Sequence, residues 1–135
     1  MPPACAVDVD GIVALIARRA REVDVLLVEG AGGLLVPIAG DLTYLDLAVR
    51  ARLPLLVVAA NRLGTVNHTA LTARVATAAG LDVRGFVLSQ PTPSTDVSAA
   101  SNADTIARLT GLPCLGVLPH AERPGLTAHL LVIPS

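Results

Sequence analysis

Four runs rich in apolar residues recur along this chain, two of them, residues 25–28 and 55–60, without any polar break. The runs cover residues 25–28, 55–60, 83–88 and 115–118. A short apolar run without alternating polar positions is typical of a strand buried on both faces of a parallel sheet. The two unbroken runs predict strands of this kind, and the other two predict a third strand and a fourth, shorter one.

Helical patterns lie before and between these runs. Residues 12–23 carry apolar side chains at helical spacing, with Asp10 as the predicted N-cap. Thr43 and Asp46 have the spacing of a capping box that opens a helix through Ala51. A third helix is predicted to run to Ala79, just before Gly80, with Thr65 or Asn67 as its cap, and a fourth covers residues 103–110 before Gly111.

Strands that alternate with helices of this length predict βαβ units. We therefore expect an α/β fold, a parallel sheet with helices on both faces, over a single domain of residues 1–135. Residues 90–102 are rich in Pro and Ser, which predicts a mobile loop. The pattern of residues 126–135 fits either a short helix or a strand.

Residues with useful chemistry follow each predicted strand. They are Glu29 with Gly30, Ala31, Gly32 and Gly33; Asn61; Ser89 with Gln90; and Pro119 with His120. Parallel strands end at the same edge of a sheet, where open α/β sheets bind their ligands. The helix that begins near Thr65 would also direct unpaired N–H groups to that edge, which favours an anion. The alternative interpretation is structural: Asn61 and Asn67 as turn or cap residues, and His120 as a solvated loop residue.

Composition excludes several classes of function. Hydrophobic residues make up 53% of the chain, charged residues 16%, and the net charge is −1, which argues against nucleic-acid binding. With one Phe, one Tyr and no Trp, the chain lacks aromatic platforms for bases. No apolar run has the length of a membrane span, and no cluster of metal ligands stands out. We expect a cytoplasmic protein in which Cys5 and Cys114 are free thiols, with Cys114 in the core.

Four stretches together resemble one family. The stretches are VLLVEGAGGLLVPIAG, LPLLVVAANRLGTVNHTALT, GFVLSQ and LGVLP. They are similar, in the same order, to stretches of dethiobiotin synthetases, the ATP-dependent enzymes of biotin biosynthesis. The combination of VEGAGG with LGTVNHT is the specific part. The resemblance implies a P-loop NTPase-like fold, with ATP as a substrate and Mg²⁺ as a cofactor. The reaction would convert 7,8-diaminopelargonate and CO₂ to the cyclic urea through a phosphorylated carbamate.

The resemblance also assigns roles to particular residues. Glu29 would coordinate the Mg²⁺ bound to ATP, and Gly30, Ala31 and Gly32 would lie beside the phosphates. The base would be flanked by Ser89, Gln90, Pro119 and His120. Ser89 stands where the family has Asn, and the shorter side chain lacks the amide that reads adenine.

The substrate site implied by the resemblance involves a second subunit. Gly32 and Gly33 would contact the substrate, together with a loop that reaches across a homodimer interface, formed by Leu63, Gly64, Thr65, Val66 and Asn67. Its amides would hold the carboxylate of diaminopelargonate. We expect residues 62–80 at or beside the dimer contact, because apolar residues lie on nearly every side of this helix.

The chain departs from the family in one respect. All ten basic residues are Arg, so the phosphate-binding lysine of the P-loop and the family's second lysine have no counterpart, and no catalytic residue is assigned. We expect this chain to correspond to the C-terminal part of a synthetase, without the N-terminal strand and P-loop. Two interpretations stay open: an enzyme completed by a separate P-loop-bearing chain, or a truncated, non-catalytic nucleotide-binding or dimerisation module.

Overall fold

The computed structural model describes residues 7–93 and 98–120. By their contacts the described residues form two compact units: those within residues 1–53 and 79–81, and those within residues 54–78 and 82–135. Each unit has its own apolar core. The single domain over residues 1–135 stays a prediction.

The first unit begins with helix α1, Val9–Arg19. Its N-cap is Asp8, whose Oδ1 accepts a hydrogen bond from the Gly11 amide at 2.9 Å, so the prediction of Asp10 as cap is wrong. Asp10 lies in the first turn instead, and its Oδ1 is 2.9 Å from Nη1 of Arg50. The helix ends four residues before the predicted Val23, in a turn closed by the Glu22 amide and the Arg19 carbonyl.

Residues 25–28 do not form the predicted strand. Val25 is 74% exposed and Leu27 80%, and the backbone of residues 25–30 forms no hydrogen bond with any described residue. A parallel strand satisfies its backbone groups only through neighbouring strands. The described residues offer no such neighbour and the apolar run is solvent-exposed, so the prediction of a doubly buried strand is wrong.

A short hairpin and a capped helix complete the first unit. Strands β1, Pro37–Ala39, and β2, Leu42–Thr43, pair antiparallel on either side of a turn at Gly40. Helix α2, Tyr44–Arg50, begins at the predicted capping box. The core of this unit joins α1 to α2 and comprises Val9, Ile16 and Leu47, with Ile12, Val13, Ile38, Ala39, Leu42, Tyr44, Ala51 and Leu53 packed against it.

The second unit is built on a parallel sheet of three strands in the order β3-β4-β5. These strands are β3, Leu55–Ala60; β4, Val83–Ser89; and β5, Cys114–Leu118. The three predicted strands are confirmed to within one residue at each end. Val57 pairs with Phe86, and Ala59 with Leu88, so these four side chains share one face of the sheet.

Two helices cover that face. Helix α3 spans Thr65–Ala78 and α4 spans Ala99–Thr110. Val66 of α3 and Ile106 of α4 pack on Val57, Phe86 and Leu88. Each helix begins earlier than its pattern predicts: Thr65 and Asn67 lie inside α3 and neither caps it, and α4 begins four residues before residue 103.

Some predictions fall elsewhere. Cys114 is exposed rather than in the core, because it lies at the start of edge strand β5. Cys5, residues 94–97 of the predicted loop and residues 126–135 lie outside the described residues. Residues 99–102, predicted as part of that loop, belong to α4 instead. None of the described helices is both long and apolar enough to cross a membrane.

Candidate functional site

Three strand ends meet at the carboxyl edge of the parallel sheet. The Asn61 amide donates to the Ser89 carbonyl at 2.8 Å, and the Gln90 amide donates to the Leu118 carbonyl at 2.9 Å. The residues predicted to follow β3, β4 and β5 therefore lie side by side at one edge. This is the edge at which open α/β sheets bind ligands.

The residues assigned to the nucleotide base lie together at this edge. Ser89 and Gln90 are half-buried, and Pro119 and His120 are exposed. Nδ1 of His120 lies 3.1 Å from the carbonyl oxygen of Pro91, which links the segment after β5 to the segment after β4. The four residues thus form one group, although their role in binding a base stays a prediction.

The turn from β3 into α3 has free hydrogen-bond donors. The Thr65 amide donates to the Arg62 carbonyl at 3.1 Å and the His68 amide to the Gly64 carbonyl at 3.1 Å. The amides of Val66 and Asn67 have no acceptor among the described residues. Gly64 has φ +93°, a conformation that a residue with a Cβ rarely adopts. A helix N-terminus with free amides favours a bound anion.

Thr65 and Thr69 add an unusual feature to the start of α3. They are 3% and 1% exposed, yet their hydroxyl oxygens form no hydrogen bond with any described residue. A buried hydroxyl without a partner costs free energy, and such groups are uncommon in folded proteins. The first turns of α3 therefore hold unused hydrogen-bonding capacity.

A cleft of about 460 Å³ lies beside α3. Four of the five residues of the predicted substrate loop line it; Thr65 does not. The lining consists of Leu63, Gly64, Val66, Asn67, Ala70, Leu71, Arg74, Asn102 and Leu109. Sequence reasoning did not single out Arg74 or Asn102. Arg74 lies seven residues after Asn67, on the same face of α3, a spacing that could have identified it.

The glycine-rich turn belongs to the first unit. Glu29 and Gly30 are exposed, and the Gly33 amide donates to the Ala31 carbonyl at 3.2 Å. A Cβ on Gly30 would lie 3.2 Å from Cδ1 of Tyr44, so the turn packs closely on the start of α2. The placement of Glu29 beside Ser89 and Gln90 stays a prediction.

The acidic side chains of the described residues suit a metal ion whose other ligands come from phosphates and water. Within residues 7–93 and 98–120, no three His, Cys, Asp or Glu side chains lie close enough together to hold a metal ion. Glu29 is a single exposed carboxylate. Mg²⁺ commonly uses one or two carboxylates together with substrate phosphates and water, so Glu29 fits one ligand of a nucleotide-bound Mg²⁺.

Comparison with known families defines the class of protein. A protein-family model described as AAA domain matches residues 4–126. The chain belongs to this family, and the predicted α/β fold of the P-loop NTPase type is confirmed by this match and by the parallel sheet.

Individual relatives are more specific. Over 114 residues the chain is 50% identical to the ATP-dependent dethiobiotin synthetase BioD of Anaeromyxobacter sp. (strain Fw109-5), covering 84% of this chain and 49% of that protein. Over 117 residues it is 44% identical to the enzyme of the same name from Bacillus thuringiensis (strain Al Hakam), covering 87% and 48%. The resemblance to dethiobiotin synthetases is therefore confirmed, and the chain spans about half the length of the curated relatives it matches.

Proposed function

We propose that this chain forms the nucleotide-base and substrate-carboxylate half of an ATP-dependent dethiobiotin synthetase. The observation that carries the proposal is the 44–50% identity to proteins of that name over most of this chain. The complete reaction joins CO₂ to 7,8-diaminopelargonate as a carbamate, phosphorylates the carbamate with MgATP and closes the cyclic urea. Catalysis of this kind depends mainly on positioning and charge neutralisation.

The nucleotide would be held by two groups of residues. Ser89, Gln90, Pro119 and His120 would surround the base, and their grouping at the carboxyl edge supports this assignment. Glu29 would be the protein ligand of Mg²⁺, with Gly30, Ala31 and Gly32 near the phosphates. When bound, Mg²⁺ neutralises negative charge on the phosphates.

The substrate carboxylate would bind at the start of α3. The amides of Val66 and Asn67, which no described residue accepts, and the positive end of the helix both suit an anion. Arg74 lines the same cleft and adds a positive charge. The apolar lining, which includes Leu63, Leu71 and Leu109, suits the hydrocarbon chain of a long diamino acid.

A P-loop-bearing chain or segment would complete the enzyme, because no lysine occurs among the 135 residues. The free edge of β3 supports such a partner. The Leu55 and Asn61 amides donate towards β4, so those of Leu56 and Val58 point the other way, where no described residue accepts them. An unpaired, apolar strand edge is a template for another strand.

The segment 25–28 has the same property in the first unit. Its apolar side chains are exposed and its backbone groups are unpaired among the described residues. A strand supplied alongside it would restore the buried strand that its sequence predicts. We therefore propose that complementation by the remaining half orders residues 25–28 as well as adding the P-loop.

The second candidate is a non-catalytic module that binds nucleotide or forms dimers. The absence of lysine favours it for this chain acting alone, since the phosphates then lack their usual ammonium partner. The two candidates differ in one property: an enzyme half gains turnover when it is complemented, and a module does not.

The test measures dethiobiotin formed from diaminopelargonate, CO₂ and MgATP. We expect no product from the purified chain alone and measurable turnover after the N-terminal half of a related synthetase is added. Glu29→Gln should lower that turnover about tenfold or more, whereas Asp41→Asn, another exposed acid of the first unit, should leave it unchanged. Robust activity of the chain alone would refute the need for a partner, and binding of MgATP without turnover in the mixture would favour the module.

A further inference from the structure

Two buried amide side chains connect the end of β3 to α4. Asn61 and Asn102 are each 4% exposed. Nδ2 of Asn102 donates to Oδ1 of Asn61 at 2.9 Å, and Nδ2 of Asn61 donates to the carbonyl oxygen of Ala99 at 3.3 Å. Buried amides are costly unless they are hydrogen-bonded, so each of these two groups depends on the other for its burial.

The pair lies where the chain leaves the sheet for the substrate loop. The backbone of Asn61 is bound to β4 through Ser89, and its side chain is bound to the first turn of α4. The next residues turn sharply, with the Arg62 amide donating to the Ala60 carbonyl at 3.0 Å and the Thr65 amide to the Arg62 carbonyl at 3.1 Å. Asn61 is thus held from two sides immediately before this turn.

We infer that Asn61 and Asn102 are a positioning pair, which holds the turn of residues 62–65 and thereby the start of α3, where Val66 and Asn67 line the cleft and no described residue accepts their amides. The assignment of this loop to the substrate carboxylate rests on the proposed function. The positioning itself does not, because it follows from the hydrogen bonds of the second unit.

Hydrogen exchange measures the positioning directly in the free chain. In Asn102→Leu the Asn61 oxygen loses its donor, so the Arg62 and Thr65 amides should exchange about tenfold faster. The hydrogen-exchange rates of the Val87 and Leu88 amides in β4 should change by less than about threefold. Ile106→Val is the matched control: it weakens the core beneath α4 without removing the pair, so it should accelerate all of these amides together.

Two further variants separate positioning from other effects. Asn102 lines the cleft and Asn61 does not. If the pair acts through the turn, Asn61→Leu should accelerate hydrogen exchange at the same amides as Asn102→Leu. The double variant should then add little to either single variant. If Asn102→Leu does not fold, Asn102→Ser replaces it, because Ser is smaller and cannot reach Asn61 with an amide.

Titration with diaminopelargonate tests the link to function. We expect its dissociation constant to rise about tenfold in both single variants, while that of MgATP changes less than about twofold. If the unaltered chain binds no diaminopelargonate, the proposed function fails, and the exchange rates still decide the positioning. Unchanged exchange at Arg62 and Thr65 in both single variants would overturn the inference.

Discussion

At the scale of single residues, the best-defined local interaction is the capping box of α2. The Thr43 amide and hydroxyl both donate to Oδ2 of Asp46 at 2.7 Å, and the Asp46 amide donates to Oγ1 of Thr43 at 3.4 Å. The hydrogen bond from the Thr43 backbone is the largest cause that lowers the pKa of Asp46 below its usual value, followed by the hydroxyl. Desolvation opposes these two hydrogen bonds, and the weaker Coulombic attraction of Arg50 lowers the pKa of Asp46 further.

This box predicts a dependence of stability on acid pH. Because the pKa of Asp46 is lower in the folded state, its carboxylate stabilises the fold above the unfolded value of about 3.9, and the contribution is lost as pH falls through the lowered pKa. Thr43→Ala should lower the free energy of unfolding by about 1 kcal/mol at neutral pH. Thermal unfolding is measured between about pH 2 and about pH 7, the range that includes this titration. The unfolding temperature of the Asp46→Asn variant should fall less steeply at acid pH than that of the unaltered chain.

The control for this prediction is Asp41→Asn, on the adjacent turn. Asp41 forms no hydrogen bond or ion pair with any described residue, so its replacement should leave the acid limb unchanged. An equal flattening in both variants would show that general charge, rather than the capping box, sets the acid dependence.

At the scale of elements, the parallel sheet is irregular on both sides of β4. Leu55 pairs with Val83 and Leu56 with Gly85, so β4 has an extra residue opposite β3. Gly85 lies at this bulge with φ +152°, and a Cβ there would lie 2.7 Å from the Pro113 carbonyl oxygen. The strand is therefore built around a close approach that only glycine permits.

Gly85→Ala should destabilise the chain by roughly 1–3 kcal/mol, through backbone strain and the contact with Pro113. Urea unfolding followed by circular dichroism measures this change. Gly33→Ala provides the comparison, because a Cβ on Gly33 meets no atom within 4 Å and its φ is not in the left-handed region. A loss of stability no larger than that of Gly33→Ala would contradict the steric account.

At the scale of the whole molecule, an apolar surface formed by α3, α4 and the turn before α3 is a candidate for self-association. Leu63 is 82% exposed, Leu71 54% and Leu109 48%, and all three line the same cleft. Exposed apolar groups gathered in one place are typical of an interaction surface. A two-fold dimer would use the same patch on both partners.

We predict a homodimer or larger species with residues 62–80 at or beside the contact. Leu71→Arg should weaken it at least about tenfold, since a buried unpaired charge is expensive, and the half-buried Val75 should respond similarly when changed to Arg. Light scattering at protein concentrations of tens of micromolar measures the association. Leu15→Arg, at a residue of α1 that is 43% exposed, is the control and should have no effect. A well-folded monomer of the unaltered chain would contradict the prediction.

The sequence by itself determined the elements that depend on residues close in the chain or on a pattern that several segments share. The capping box of α2 involves residues three positions apart, so its hydrogen bonds depend only on the first turn of the helix. Strands β3, β4 and β5 were predictable because long apolar runs between turn residues had partners of the same kind in the same unit. Their shared carboxyl edge followed from the parallel topology, so the grouping of Asn61 with Ser89 could be predicted.

Only the tertiary structure decided features that depend on distant neighbours. Residues 25–28 have as clear a strand pattern as residues 55–60, but a strand exists only where another strand accepts its backbone hydrogen bonds. Asn61 finds its partner 41 residues away in Asn102, a contact that no local pattern specifies. Local chemistry therefore determined which segments could become helices, strands and site residues, and packing between distant segments decided which of them did.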